Sequence, residues 1–170
     1  MQISDASLLV STGVVLAALL GVLLALRRRS SRGPQRYVVI DGSNVLYWKN
    51  ERVDAAPLQD LVLSLAGRGF VPVIWFDANA GYLLADRYMG PEALAKLFGV
   101  RERQVHVAPK GMPADPLLLE GAKRLNAQII SNDRFRDWKD SHPILHSKNR
   151  LVTGVWRKKG VELRGLLNEL

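Results

Sequence analysis

Short β-branched runs alternate with stretches of helical periodicity between residues 37 and 155, and no other feature constrains the fold as tightly. Tyr37–Ile40, Val71–Phe76, Gln104–Val107, Ala127–Ile130 and Arg150–Val155 read as five strands, short and apolar as buried strands are. Pro57–Ala66 carries apolar residues at helical spacing, with proline in its first turn and Gly67 just behind it. Residues 83–98 read as a helix broken near Gly90-Pro91, hence as two pieces, and Pro116–Leu125 as a further helix. This alternation predicts an α/β domain, a mostly parallel sheet covered by helices on both faces. Sheets of that kind place their sites beyond the carboxyl ends of the strands.

Polar residues gather at those ends. Asp41 follows the first strand, Asp77 the second, and Asn132 and Asp133 the fourth; Asp115 opens a helix behind a Lys-Gly-Met-Pro loop. Carboxylates converging on one crevice repel each other unless cations lie between them, and Mg2+ and Mn2+ favour oxygen ligands of this type. Each aspartate also has an ordinary role open to it: Asp41 in a turn, Asp115 as a helix cap, Asp133 as the cap of the next helical turn. Their recurrence at successive strand ends favours the metal site. The chain has no cysteine, which excludes disulfides and thiolate metal sites. His106 sits within a strand, and His142 and His146 in a loop, so all three read as structural or solvated.

Ahead of the domain, Leu8–Leu26 is a run of 19 residues without charge. As a helix it would reach ~28 Å, close to the ~30 Å hydrocarbon core of a bilayer. Only Asp5 precedes it as a charged residue, whereas Arg27, Arg28, Arg29, Arg32 and Arg36 follow. That asymmetry argues against a cleaved signal peptide and predicts a single-pass membrane anchor with the domain on the cytoplasmic side. Residues 1–35 are therefore expected to form anchor and linker, and 36–170 the domain. The arginines after the run suit anionic lipid. The whole chain carries +8. Setting aside those five arginines and Asp5 leaves residues 37–170 with 19 basic against 15 acidic residues, a net +4, moderately basic and suited to an anionic partner.

Two segments, VVIDGSNVL at 38–46 and SNDRFRDW at 131–138, resemble the signature segments of NYN domains in the PIN-like nuclease superfamily. The likeness is greatest to the nuclease domain of the CCCH zinc-finger ribonucleases and their bacterial relatives, and it spans about residues 36–156. The resemblance implies a PIN-like fold and a metal-dependent endoribonuclease. It places Asp41 as the first-strand metal aspartate with Asn44 as its helping amide. Asp115 matches the aspartate opening the helix before the fourth strand, Asp133 the Asp of the Asn-Asp motif, and Asp137 the later acid of that segment. Relatives often carry paired acids where this chain has Ala114-Asp115. Asp77 matches an acidic strand-end residue of some bacterial NYN proteins but not of the zinc-finger ribonucleases. A CCCH finger is absent, so substrate selection falls to the domain itself, a homo-oligomer or a protein partner.

Carboxylate-held Mg2+ or Mn2+ would activate water for in-line attack on a phosphodiester, and no small-molecule cofactor is needed. Ser43 and Asn44 are placed to orient water or phosphate, or simply to complete the turn. For RNA, Arg134 and Arg136 flank Asp133, Lys110 precedes Asp115, and Arg157, Lys158 and Lys159 form a second basic cluster that could equally be a solvated turn. Tyr47 and Trp48 could stack on an unpaired base or pack on the rim; Trp75, within a strand, reads as core. Three functions compete: a membrane-tethered endoribonuclease cleaving single-stranded RNA, a catalytically weak PIN-like module binding RNA or protein at the membrane, and another phosphoryl-transfer enzyme. A phosphatase with a nucleophilic aspartate wants a second acid two residues on, where this chain has Ser43. A P-loop NTPase is excluded, because GxxxxGK[ST] does not occur.

Overall fold

The computed structural model describes residues 35–165. The apolar run at residues 8–26 and the arginines at 27–32 lie outside them. Among the described residues no helix is long and apolar enough to cross a membrane.

Six strands form one sheet in the order β3-β2-β1-β4-β5-β6. They are β1 (Arg36–Asp41), β2 (Phe70–Phe76), β3 (Val105–Val107), β4 (Gln128–Ile130), β5 (Leu151–Arg157) and β6 (Gly160–Arg164). β1 lies at the centre, parallel to β2 on one side and β4 on the other, with β3 and β5 continuing the parallel arrangement outward. β6 turns back antiparallel on β5, so the sheet is mixed. The sequence-based expectation of five strands therefore needs correction. Gly160–Arg164 has charged Glu162 and Arg164 on a half-exposed edge, and its pattern is too polar for a buried strand. What makes it a strand is pairing with β5 through a tight turn, a tertiary circumstance.

Five helices connect the strands: α1 (Gly42–Val45), α2 (Ala56–Gly67), α3 (Ala80–Ala85), α4 (Pro91–Phe98) and α5 (Asp115–Arg124). The break expected near Gly90-Pro91 is present between α3 and α4, and Pro91 opens α4 as a first-turn proline. Single helical turns of 3-10 type occupy Glu102–Gln104, Arg136–Trp138 and Pro143–His146.

The period of two along β1 explains the layering. Val38 and Ile40 face a cluster with Leu58, Leu61, Leu65, Leu94 and Phe98, contributed by α2 and α4. Val39 faces the opposite way, onto Leu118, Leu119 and Ala122 of α5 with Trp75, Ile129 and Phe135. β1 is thus covered on both faces, which is why it reads as a continuous apolar run. All parallel strands end on the same edge, and the acidic residues stand there.

Candidate active site

Asp41 is the last residue of β1 and the cap of α1. Its Oδ1 accepts the backbone N–H of Asn44 at 3.0 Å, and its Oδ2 accepts the Ser131 hydroxyl at 2.8 Å. The residue is only 8% exposed, and burial pushes its carboxyl up to about 6. The bonds from Asn44 and Ser131 oppose that shift, and the charges of Asp115 and Asp77 add to it. A carboxylate held near neutrality by its surroundings is a common mark of a functional position.

The other acids converge on it from separate elements. Asp77 follows β2; its backbone N–H donates to Ser43 Oγ at 2.9 Å, and its Oδ1 accepts the Ala114 N–H at 3.2 Å. Asp115 is the first residue of α5, half-buried, and its carboxyl is also raised, first by burial and then by Asp133, Asp77 and Asp137. The indole N–H of Trp138 opposes this by donating to Asp115 Oδ2 at 3.2 Å. Asp133 is exposed beyond β4, and its Oδ1 accepts the Phe135 N–H at 2.8 Å in an Asx-type turn. Asp137 lies on the exposed 3-10 turn Arg136–Trp138. The capping and turn roles foreseen for Asp41 and Asp133 are thus real, and they coexist with electrostatic contact among the aspartates. Asp115 follows its helix cap, Ala114, rather than forming it.

Around these acids a polar lattice fixes the edge. Asn44 Oδ1 accepts both the Trp48 indole N–H at 2.8 Å and the Asn132 backbone N–H at 3.0 Å. Asn132 in turn bridges to β5, donating Nδ2 to the Gly154 carbonyl at 2.9 Å and accepting the Gly154 N–H at 3.0 Å. The Trp48 ring lies against Gly154, where a Cβ would have no room. With its N–H held by Asn44 and its ring on β5, Trp48 ties the site to the sheet rather than standing free to meet a base. Ser43 likewise ties the α1 turn to the end of β2, its Oγ accepting the Asp77 backbone N–H.

The remaining basic candidates lie on exposed segments at different distances from the acidic edge. Arg134 and Arg136 are exposed on either side of buried Phe135. Lys110 is exposed on the loop that delivers Ala114 to Asp77. Arg157 ends β5, and Lys158 and Lys159 form the turn that leads into β6. Because Ile130 pairs with Val152, β5 reaches five residues past the end of β4 before that turn begins, ~16 Å beyond the acidic edge. Asp60 anchors it by accepting the Val161 N–H at 2.7 Å, and Arg157 pairs with Glu162 at 3.6 Å. His106 stacks on Trp75 with ring centroids 4.4 Å apart, and His142 and His146 bond to backbone carbonyls of Trp138 and Lys139. None of the three points to a ligand role.

Two contributors escaped the sequence reading. Ser131 is fully buried, donates to Asp41 and accepts the Asp133 N–H at 3.0 Å, so one hydroxyl couples two acids. Trp138 contacts Asp115 directly. Both lie inside the 131–138 segment; only their partners, remote in sequence, reveal the role.

Among the described residues, no three acidic or histidine side chains already stand as a cluster able to hold a metal ion. The donor set is nonetheless all oxygen, and burial together with the charges of neighbouring aspartates raises the carboxyls of Asp41 and Asp115. That chemistry fits an ion that keeps most of its water shell and binds one or two carboxylates directly, as Mg2+ does.

Comparison with known proteins bears on the fold and the family. In two solved structures of the nuclear protein-only RNase P 2 (PRORP2) of Arabidopsis thaliana, a similar fold covers 96% of this chain. The TM-scores are 0.53 and 0.51, with 18% and 15% identity. The chain spans 37% of the length of those neighbours, and at such identity the likeness is one of fold. No curated protein matches the sequence. A family model described as the Zc3h12a-like Ribonuclease NYN domain matches residues 34–163, and on that match the chain belongs to the Zc3h12a-like ribonuclease NYN family.

Proposed function

We propose that this ribonuclease domain is a metal-dependent endoribonuclease acting on single-stranded RNA at a membrane. The observation that carries the reading is the convergence of Asp41, Asp115, Asp77 and Asp133 at one sheet edge, with the carboxyls of buried Asp41 and half-buried Asp115 raised by burial and by neighbouring aspartates. Asp41, Asp115 and Asp133, with Asp77 and Asp137 at the margin, are the residues that would hold Mg2+ or Mn2+. When bound, such an ion lowers the pKa of a coordinated water and neutralises charge on the leaving oxygen. The chain's own groups do the rest. Ser131 and the Asn44 N–H orient the Asp41 carboxylate. Asn44 Oδ1 is engaged twice, so its amide nitrogen is the group left to donate to a phosphate oxygen. Arg134, Arg136 and Lys110, with the basic run Arg157–Lys159, would hold backbone phosphates on either side of the scissile one.

Asp41→Asn and Asp133→Asn each keep size and oxygen but remove the charge that retains the cation. Each should lower cleavage of single-stranded RNA on the order of a thousandfold while binding persists, and EDTA should do the same to the wild type. Full cleavage by either variant would sink the assignment. Wild-type protein that binds RNA yet cuts none with any divalent ion would favour the binding-module reading, with Ala114 in place of a second acid as its physical basis.

Residues 1–35 are proposed as anchor and juxtamembrane linker for the 36–170 domain. Leu8–Leu26 would span the bilayer, the arginines behind it meeting anionic lipid on the cytoplasmic face. Release of the full chain from membranes by an alkaline carbonate wash would refute this.

A further inference from the structure

Besides the local N–H groups on Asp41 and Asp133, two N–H groups reach carboxylates of the acidic edge from positions distant in sequence. The Ala114 backbone N–H donates to Asp77 Oδ1 at 3.2 Å, and the Trp138 indole N–H donates to Asp115 Oδ2 at 3.2 Å. Position 114 itself is a buried alanine and brings no charge. Trp138 comes from the 3-10 turn Arg136–Trp138, 23 residues away in sequence, and its ring packs with the core cluster that holds Leu118 and Phe135. On its other side the ring meets His142 edge-on at 6.1 Å, and the Trp138 carbonyl lies within hydrogen-bond distance of the His142 ring. The indole is therefore fixed by packing, and its N–H has one direction.

From this geometry we infer that Trp138 is a positioning residue for Asp115. It holds the carboxylate through Oδ2, which leaves Oδ1 as the oxygen that would meet the cation. The inference rests on the ribonuclease reading for its catalytic meaning, but the coupling of Trp138 to Asp115 stands on the hydrogen bond alone. A half-buried carboxylate without such a partner would sample several rotamers, each taking the free oxygen off target, and small misplacements of reacting groups cost rate steeply. The indole supplies the constraint without adding a negative charge to an edge already crowded with aspartates. In an edge where position 114 is not acidic, orientation of the one acid that α5 supplies matters more.

Trp138→Phe in the full chain keeps the ring and removes the donor. It should lower kcat for single-stranded RNA roughly tenfold to a hundredfold, with KM for RNA little changed. A second readout does not need turnover. Trp138 touches a carboxylate expected to meet the ion, so Mn2+ should quench part of the tryptophan emission of the wild type, and this part should vanish in Trp138→Phe and in Asp115→Asn. If Trp138→Phe does not fold, replacement of Trp138 by benzothienylalanine, of the same shape without the N–H, makes the same comparison. Unaltered kcat in the folded variant would overturn the positioning role. So would Mn2+ quenching that is identical in wild type and Asp115→Asn. A wild type that never cleaves RNA would refute the ribonuclease reading, and the emission arm would still decide whether Trp138 and Asp115 act together.

Discussion

At the scale of single residues, Asp41 shows how one side chain serves fold and chemistry at once. It caps α1 and receives Ser131, and burial, helped by the charges of Asp115 and Asp77, pushes its carboxyl up to about 6 from the ordinary 3.8 against those two hydrogen bonds. A raised carboxyl means that the folded state holds the proton more firmly than the unfolded one. The stabilisation is therefore complete below the unfolded value and is lost as pH rises through about 6. Asp115 shifts the same way. In buffer stripped of divalent ions, thermal stability should rise as pH falls from 7.5 to 5. Asp41→Asn, which cannot ionise, should flatten that rise and raise stability at pH 7.5 by about 1–3 kcal/mol. Calorimetric melts of both proteins across that range check it; a wild type that loses stability on acidification to pH 5 would contradict the sign.

Between elements, the firmest tie is the one that joins the acidic edge to the β5–β6 hairpin. Asn132 bonds twice to Gly154, Trp48 covers the same glycine, and Asn44 joins Trp48 to Asn132. Gly154 is required here by close approach: a Cβ would run into the Trp48 ring and lie 3.1 Å from Leu163 Cδ2. Gly154→Ala should destabilise the domain by about 1–3 kcal/mol through overpacking. Because the clash falls on Trp48 and hence on Asn44, cleavage should drop more than the lost stability accounts for. Denaturant melts alongside kcat at a temperature where both proteins are folded separate the two effects.

For the whole molecule, the described domain covers its central strand on both faces with its own helices, and both core clusters can be built from residues within 37–163. A fragment of residues 36–170 is thus expected to stay folded and monodisperse without detergent, whereas the full chain should require it. Size-exclusion chromatography and circular dichroism of the two forms would show this, and aggregation of the fragment would count against the proposed division.

The sequence by itself determined the class of fold, the strand-by-strand placement of Asp41, Asp77 and Asp133, and the break at Gly90-Pro91. These follow from local periodicity, turn chemistry and the rule that parallel strands end on one edge. The family was legible too, from two segments about 90 residues apart that the sheet brings together through Ser131 and Asp41. What only the tertiary structure decided is pairing between residues distant in sequence. β6 became a strand by partnering β5, because a half-exposed edge need not be apolar. Trp48, open as a base platform in the sequence, is claimed by Asn44 and Gly154. Ser131 and Trp138 orient carboxylates reached by no local pattern. A hydrogen bond depends on two positions at once, and periodicity describes only one of them.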